Sequence, residues 1–130
     1  MLVRHFYVSE IAEGVSDLDV QVILGVAQVN NRRLDLTGML AQSDGHFAQV
    51  LEGRAEAVAA LMERIGRDAR HRGVRTLLQE SASRRQFASW AMGLVRRDDM
   101  SAAIADAHRA GCVDDAHARR LLRALMKLPG

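Results

Sequence analysis

The stretch Leu36-Thr37-Gly38-Met39-Leu40-Ala41-Gln42-Ser43-Asp44-Gly45-His46-Phe47-Ala48-Gln49-Val50-Leu51 holds two short apolar runs, Leu36 to Ala41 and His46 to Leu51, on either side of Ser43-Asp44-Gly45. An Asp-Gly turn between two such runs predicts a β-hairpin. On its second strand Phe47, Gln49 and Leu51 share a face, because alternate side chains of a strand point the same way. Upstream, Leu2 to Ser9 alternates with the same period, His5, Tyr7 and Ser9 on one side and Phe6 and Val8 on the other, and reads as a first strand. Between strand and hairpin, Ser16 followed by Asp17 and Asp19 marks a helix N-terminus, and Val20, Ile23, Leu24 and Ala27 recur at helical spacing. Four residues further the same stripe reaches Asn31.

Downstream of the hairpin, Val58, Leu61, Met62 and Ile65 draw the core stripe of a helix expected from Arg54 to His71, with Arg70-His71-Arg72-Gly73 as its stop signal. Val74 to Leu78 and Met92 to Val95 are the next strand candidates. Two amphipathic patterns close the chain: Met100, Ala103, Ile104 and Ala107, then Ala118, Leu121, Leu122 and Leu125, with Asp114 and Asp115 suited to the last helix start. The order β-α-β-β-α-β-β predicts an α+β, ferredoxin-like fold with two helices on one face of an antiparallel sheet, plus two C-terminal capping helices. Residues 1–97 are expected to form the core and 98–130 the two-helix cap of the same unit.

The 130 residues are 48% hydrophobic and 26% charged, the balance of one soluble domain with a genuine core. Lysine and arginine number 18 against 16 acidic residues, too small an excess for binding driven by phosphate neutralisation. Only five aromatic residues occur, Phe6, Tyr7, Phe47, Phe87 and Trp90, too few for the stacking platform of an RNA-binding sheet of this type. Nucleic acid is therefore a minor option. The single cysteine, Cys112, supports neither an intrachain disulfide nor a thiolate metal site, and with no leader or bilayer-length apolar run the reading is a cytoplasmic protein off the membrane. Five histidines lack the local spacing of a zinc site, so no metal is expected. Neither a Gly-rich phosphate loop nor an activated serine or cysteine nucleophile is visible, and no enzymatic activity is expected.

Three polar side chains stand where the periodicity calls for apolar ones: Tyr7, Asn31 and Gln49. A buried amide or phenol is unfavourable without a hydrogen-bond partner, so each alone reads as a group satisfied inside the core. The three together point to a planar ligand with alternating donors and acceptors, an edge that Asn and Gln match because their amides carry both. Arg64, Asp68 and His71, at i, i+4 and i+7 of the second helix, add a polar stripe beside the apolar one.

These motifs, Tyr7-Val8-Ser9, Asn30-Asn31 before Leu36-Thr37-Gly38-Met39-Leu40, Gly45 through Gly53, Asp68-Ala69-Arg70-His71, and Arg85-Gln86-Phe87-Ala88-Ser89-Trp90-Ala91-Met92, occur in the order and spacing of a known family. Residues 1–97 resemble the BLUF domain, the blue-light sensor using FAD. The resemblance implies a flavin between the two core helices, with Gln49 bridging Tyr7 and the N5/O4 edge of the ring, Asn31 on the O4/N3 edge and Asn30 beside it. It places Ile23, Leu24 and Ile65 around the ring and Arg64, Asp68 and His71 along the outer pocket, Arg64 toward the ribityl or phosphate end. FAD is the cofactor so implied, and no side chain here separates it from FMN or riboflavin. The switch implied is electron and proton loss and recovery at Tyr7, which leaves Gln49 rotated or tautomerised and the absorption slightly red-shifted. Trp90 and Met92, two apart on one strand face, are the implied relay, against a plain reading as packed core. Asp35-Leu36 replaces the Gly-Ile common in the family, and Ala41-Gln42 is more polar than its usual hairpin.

The sequence thus predicts a photoreceptor that signals by contact with a downstream protein through its C-terminal helices or the sheet face away from the flavin, and that forms a homo-oligomer. The rivals on the same fold are an acyl-phosphate hydrolase and a flavin-free regulatory or nucleic-acid-binding module.

Overall fold

In the computed structural model, which describes residues 1–87 and 93–127, five strands and four helices follow the expected order. They are β1 (Leu2–Ile11), α1 (Asp17–Arg33), β2 (Thr37–Ser43), β3 (His46–Arg54), α2 (Ala55–Gly66), β4 (His71–Ser81), β5 (Gly93–Arg96), α3 (Ser101–Ala110) and α4 (Asp115–Met126), with a single 3-10 turn, Asp98–Met100, before α3. The sheet order is β4-β1-β3-β2-β5. The first four strands pair antiparallel in the ferredoxin-like manner, whereas β5 lies parallel to β2 through Met39–Gly93 to Gln42–Arg96, so the sheet is mixed rather than wholly antiparallel.

Local chemistry accounts for the starts of α1 and α4 and for the approach to β2. Ser16 caps α1 in a reciprocal box: its hydroxyl accepts from the Asp19 N–H at 3.1 Å, and the Asp19 carboxylate accepts from the Ser16 N–H at 2.9 Å. Asp114 caps α4 by accepting from the His117 N–H at 2.7 Å. Gly38 is required on β2, since a Cβ there would lie 2.0 Å from the Val50 carbonyl oxygen on β3. Asp35, where the family commonly has glycine, is the one non-glycine residue at positive φ (54°) among the described residues, and Arg85 holds its carboxylate at 3.2 Å.

The second helix ends earlier than its apolar stripe suggests. It stops at Gly66, five residues before His71, and His71 instead opens β4. The cause is a competing turn: Asp68 accepts from the Arg70 backbone N–H at 3.0 Å and from the Arg70 guanidinium at 2.9 and 2.7 Å, and the His71 N–H bonds the Asp68 carbonyl at 3.1 Å. Arg64, Asp68 and His71 therefore do not form one helical stripe; they come from a helix, a turn and a strand.

Strand alternation gives the sheet two apolar faces. Val20 and Leu24 of α1 and Val58 of α2 pack with Leu36, Leu40, Phe47 and Leu51 on one. Phe6, Val8, Ala48, Val50 and Leu78 pack on the other with Ile104 and Ala107 of α3 and Ala118, Leu121, Leu122 and Leu125 of α4. The face away from α1 and α2 is thus covered by the cap, which removes it as an open signalling surface. Arg97, buried just after β5, locks this layer in place: one terminal nitrogen donates to the carbonyls of Ala124 (3.1 Å), Leu125 (2.8 Å) and Lys127 (2.6 Å) at the end of α4, while Asp99 accepts from its other nitrogens at 2.9 Å. A cation at a helix C-terminus satisfies carbonyls that have no partner within the helix.

Candidate functional site

β1 and β3 are neighbours, and their register sets Tyr7 directly opposite Gln49. Both side chains point to the α1–α2 face, as the alternation with Phe47 and Leu51 requires. The Tyr7 hydroxyl donates to Gln49 Oε1 in a short hydrogen bond. A phenol proton needs an acceptor, which orients the amide with its oxygen toward Tyr7 and its nitrogen away. Tyr7 is fully buried, and Gln49 and Asn31 are only 7% and 2% exposed. Burial, with Asp68 adding a smaller electrostatic contribution, pushes the Tyr7 pKa far above its ordinary value, so the phenol is held neutral.

In front of this pair a cavity of about 560 Å³ opens between α1 and α2, within the range of small-ligand sites. Every side chain singled out for flavin contact lines it: Ile23, Leu24, Asn30 and Asn31 from α1, Gln49 from β3, Arg64 and Ile65 from α2, Asp68 from the turn and His71 from β4. Tyr7 does not line the cavity but stands behind Gln49. Leu24 is buried and Ile23 and Ile65 half-buried, forming apolar walls, while Arg64 is exposed at the rim. His71 packs on both aromatic neighbours, 6.3 Å from the Tyr7 ring centroid and 5.2 Å from that of Phe47, and its Nδ1 lies 3.0 Å from Ser9 Oγ. Desolvation holds the His71 pKa below the ordinary histidine value, which keeps the ring neutral near pH 7. The Asp68 carboxyl is pulled down to about 2, chiefly by its hydrogen bonds with Arg70, so it is ionised and committed to that arginine rather than to Arg64. Trp90 and Met92 lie outside the described residues.

One part of the site is not evident from the residue pattern. Glu52, fully buried after Leu51, accepts from Arg4 Nε at 2.9 Å and from the backbone N–H groups of Gln86 (3.0 Å) and Phe87 (2.9 Å). Arg4 also donates to the Arg84 carbonyl at 3.1 Å, and Arg85 bonds Thr37 Oγ1 at 2.8 Å and the Glu52 carbonyl at 3.1 Å. This network fixes the segment that enters residues 88–92. The signal in the sequence was a lone Glu at the end of an apolar strand, with partners 48 and 34 residues away.

Tyr7 is the only tyrosine, so tyrosinate absorbance reports it alone. Its raised pKa means that its contribution to stability is intact below pH about 10 and declines above that, by about 1.4 kcal/mol per pH unit, while the buried phenol stays protonated. In an alkaline titration the tyrosinate band is therefore expected only together with cooperative unfolding followed by circular dichroism; a separate ionisation near pH 10 in folded protein would contradict this environment.

Fold and site define a ferredoxin-like domain with a deep slot for a planar, polar-edged ligand. The sequence pattern described as sensors of blue-light using FAD, BLUF, matches residues 2–93, and the chain belongs to this family. It is 32% identical over 111 residues to the blue light- and temperature-regulated antirepressor BluF of Escherichia coli (strain K12), covering 82% of this chain and 28% of that protein. With the photoactivated adenylate cyclase subunit beta of Euglena gracilis it shares 35% over 83 residues, 64% of this chain and 10% of that one. The chain thus spans only a minor part of the length of these curated relatives. Among solved structures, BlsA in its photo-activated state superposes with a TM-score of 0.82 at 28% identity, covering 99% of this chain and 97% of that chain. The dark-state structure of BlrB, a BLUF protein, gives 0.75 at 29% identity, covering 96% and 97%. The flavin that the resemblance implied is the cofactor of the family.

The cavity fits that group. An isoalloxazine ring is flat and apolar on its faces, which suits walls of Ile23, Leu24 and Ile65, and carries donors and acceptors along one edge, which suits the amides of Asn31 and Gln49. Among the described residues no helix is long and apolar enough to cross a membrane.

Proposed function

We propose that this chain is a blue-light photoreceptor that holds a flavin non-covalently between α1 and α2 and converts light into a rearranged Tyr7–Gln49 hydrogen-bond network read by a downstream protein. The observation that carries this reading is the buried phenol donating to the amide on the floor of the cavity. When bound, the flavin supplies blue-light absorption and, in its excited state, a strong oxidant. Tyr7 is suited to give up an electron and a proton reversibly, since its hydroxyl already points at an acceptor. Gln49 is suited to record the event because an amide turned over, or tautomerised, exchanges donor for acceptor at one position without changing its volume. Asn31 and Asn30 hold the polar edge, Ile23, Leu24 and Ile65 the ring faces, and Arg64 the anionic end, where a fixed guanidinium favours phosphate. Asp68 and His71 border the outer pocket, and Trp90 and Met92 relay the change toward β5.

In this reading residues 1–97 are the photosensory core, 98–130 are its cap, and the domain acts as a cytoplasmic sensor without catalysing a reaction, through a protein partner or a second copy. The exposed face of the cap is the candidate output surface, since its inner face is spent on the sheet. The test is an absorption spectrum recorded in the dark, after blue light and during recovery. A flavin spectrum with a small reversible red shift is expected; colourless protein that takes up no added flavin would overturn the reading.

A further inference from the structure

On the cap side of the sheet, remote from the flavin cavity in both face and residues, three metal-binding side chains converge. Glu10 on β1 is the register partner of His46 on β3, and both project toward the face covered by α3. His108 of α3 completes the group, and one ligand atom from each of the three lies within 4.8 Å of the others. The rings of His46 and His108 meet edge to face at 5.3 Å.

The tautomers are set for ligation. His108 is buried, and its Nε2 sits 2.8 Å from the Gly73 carbonyl, which must accept a proton there; Nδ1 is left with its lone pair, 3.7 Å from Glu10 Oε1. A metal-ligating imidazole characteristically donates its other N–H to a carbonyl in this way. His46 repeats the arrangement more loosely, with Nδ1 3.4 Å from the Asp44 carbonyl and Nε2 on the opposite edge of the ring. The Glu10 side chain is half-exposed and has room to swing onto an ion. Two imidazoles and a carboxylate form a borderline donor set that suits zinc over calcium or magnesium, and three protein ligands leave a fourth tetrahedral position for water.

We propose that Glu10, His46 and His108 form a zinc site that fastens α3 of the cap to the ends of β1 and β3. The local spacing of histidines gave no sign of it, because the ligands are brought together from three elements by the fold.

The test is titration of ZnCl2 into untagged, chelator-treated, flavin-loaded protein by calorimetry, with Co2+ as a visible probe of tetrahedral geometry and thermal unfolding as a second readout. One zinc per chain and a melting temperature that rises with zinc are expected. His46→Ala and Glu10→Gln should each weaken binding by at least about tenfold and remove the thermal response. His117→Ala, an exposed histidine on α4, should change neither. His108→Ala tests the buried ligand where circular dichroism shows it folded, and Glu10→Gln keeps the question answerable where it is not. Absence of stoichiometric zinc binding, or binding that survives both His46→Ala and Glu10→Gln, would overturn the proposal.

Discussion

Tyr7→Phe is expected to retain flavin and to abolish the light-induced red shift. Phenylalanine fills the same buried volume on β1, so the walls of the cavity stay in place and the dark flavin spectrum changes little. What is lost is the hydroxyl, the one group at this position able to deliver a proton to Gln49 Oε1. Gln49→Leu removes the other half of the pair and gives the same spectral outcome by a different cause, since the phenol remains but no amide is present to be turned over. Either change leaves one buried polar atom without its present partner, a penalty of about 1–3 kcal/mol that a domain of this size should tolerate. The light-minus-dark difference spectrum is the measurement. A wild-type shift in both variants would remove the switch from this pair.

The larger effect on stability is expected at Glu52→Leu. The carboxylate is fully buried and compensates the guanidinium of Arg4, itself almost wholly buried, while accepting two backbone N–H groups of the segment that leads into residues 88–92. Replacing it by leucine strands two amide donors and leaves the buried Arg4 with only Glu80, 3.6 Å away, and the Arg84 carbonyl as partners; loss of one member of a buried pair costs about 3–5 kcal/mol. Chemical denaturation should show that loss as a lower midpoint with an unchanged slope. Glu52→Gln, which keeps an acceptor but no charge, should fall between. A loss below about 1 kcal/mol for Glu52→Leu would show that solvent or another residue takes over the role of the carboxylate.

The contrast between these two pairs shows what could be read from the residues alone. Tyr7 and Gln49 were visible because strand alternation put polar groups on an apolar face, and alternation is a local signal. Ser16 and Asp19, at capping-box spacing, were equally visible. The register that sets Tyr7 opposite Gln49 is a long-range pairing, and here family resemblance supplied what the period could not. The Arg4–Glu52 network left only a lone Glu at the end of an apolar strand, and the Glu10, His46, His108 cluster left no local trace, since each joins elements far apart in sequence. The overlong second helix had a different cause: Arg64, Asp68 and His71 fit a helical period, but Asp68 satisfies the backbone of Arg70 and ends the segment. Even so, all three reach the cavity they were expected to line, carried there by a turn and a strand instead of a continuing helix.

Arg97 concentrates the attachment of the cap to the strand end in one side chain. Three carbonyls at the end of α4 share a single guanidinium nitrogen, and the same side chain is anchored by Asp99 and stands one residue beyond β5. A strand sliding by one residue moves about 3.3 Å, further than any of these bonds can stretch. Moving β5 by a full residue therefore means either losing the three bonds together or carrying the end of α4 along.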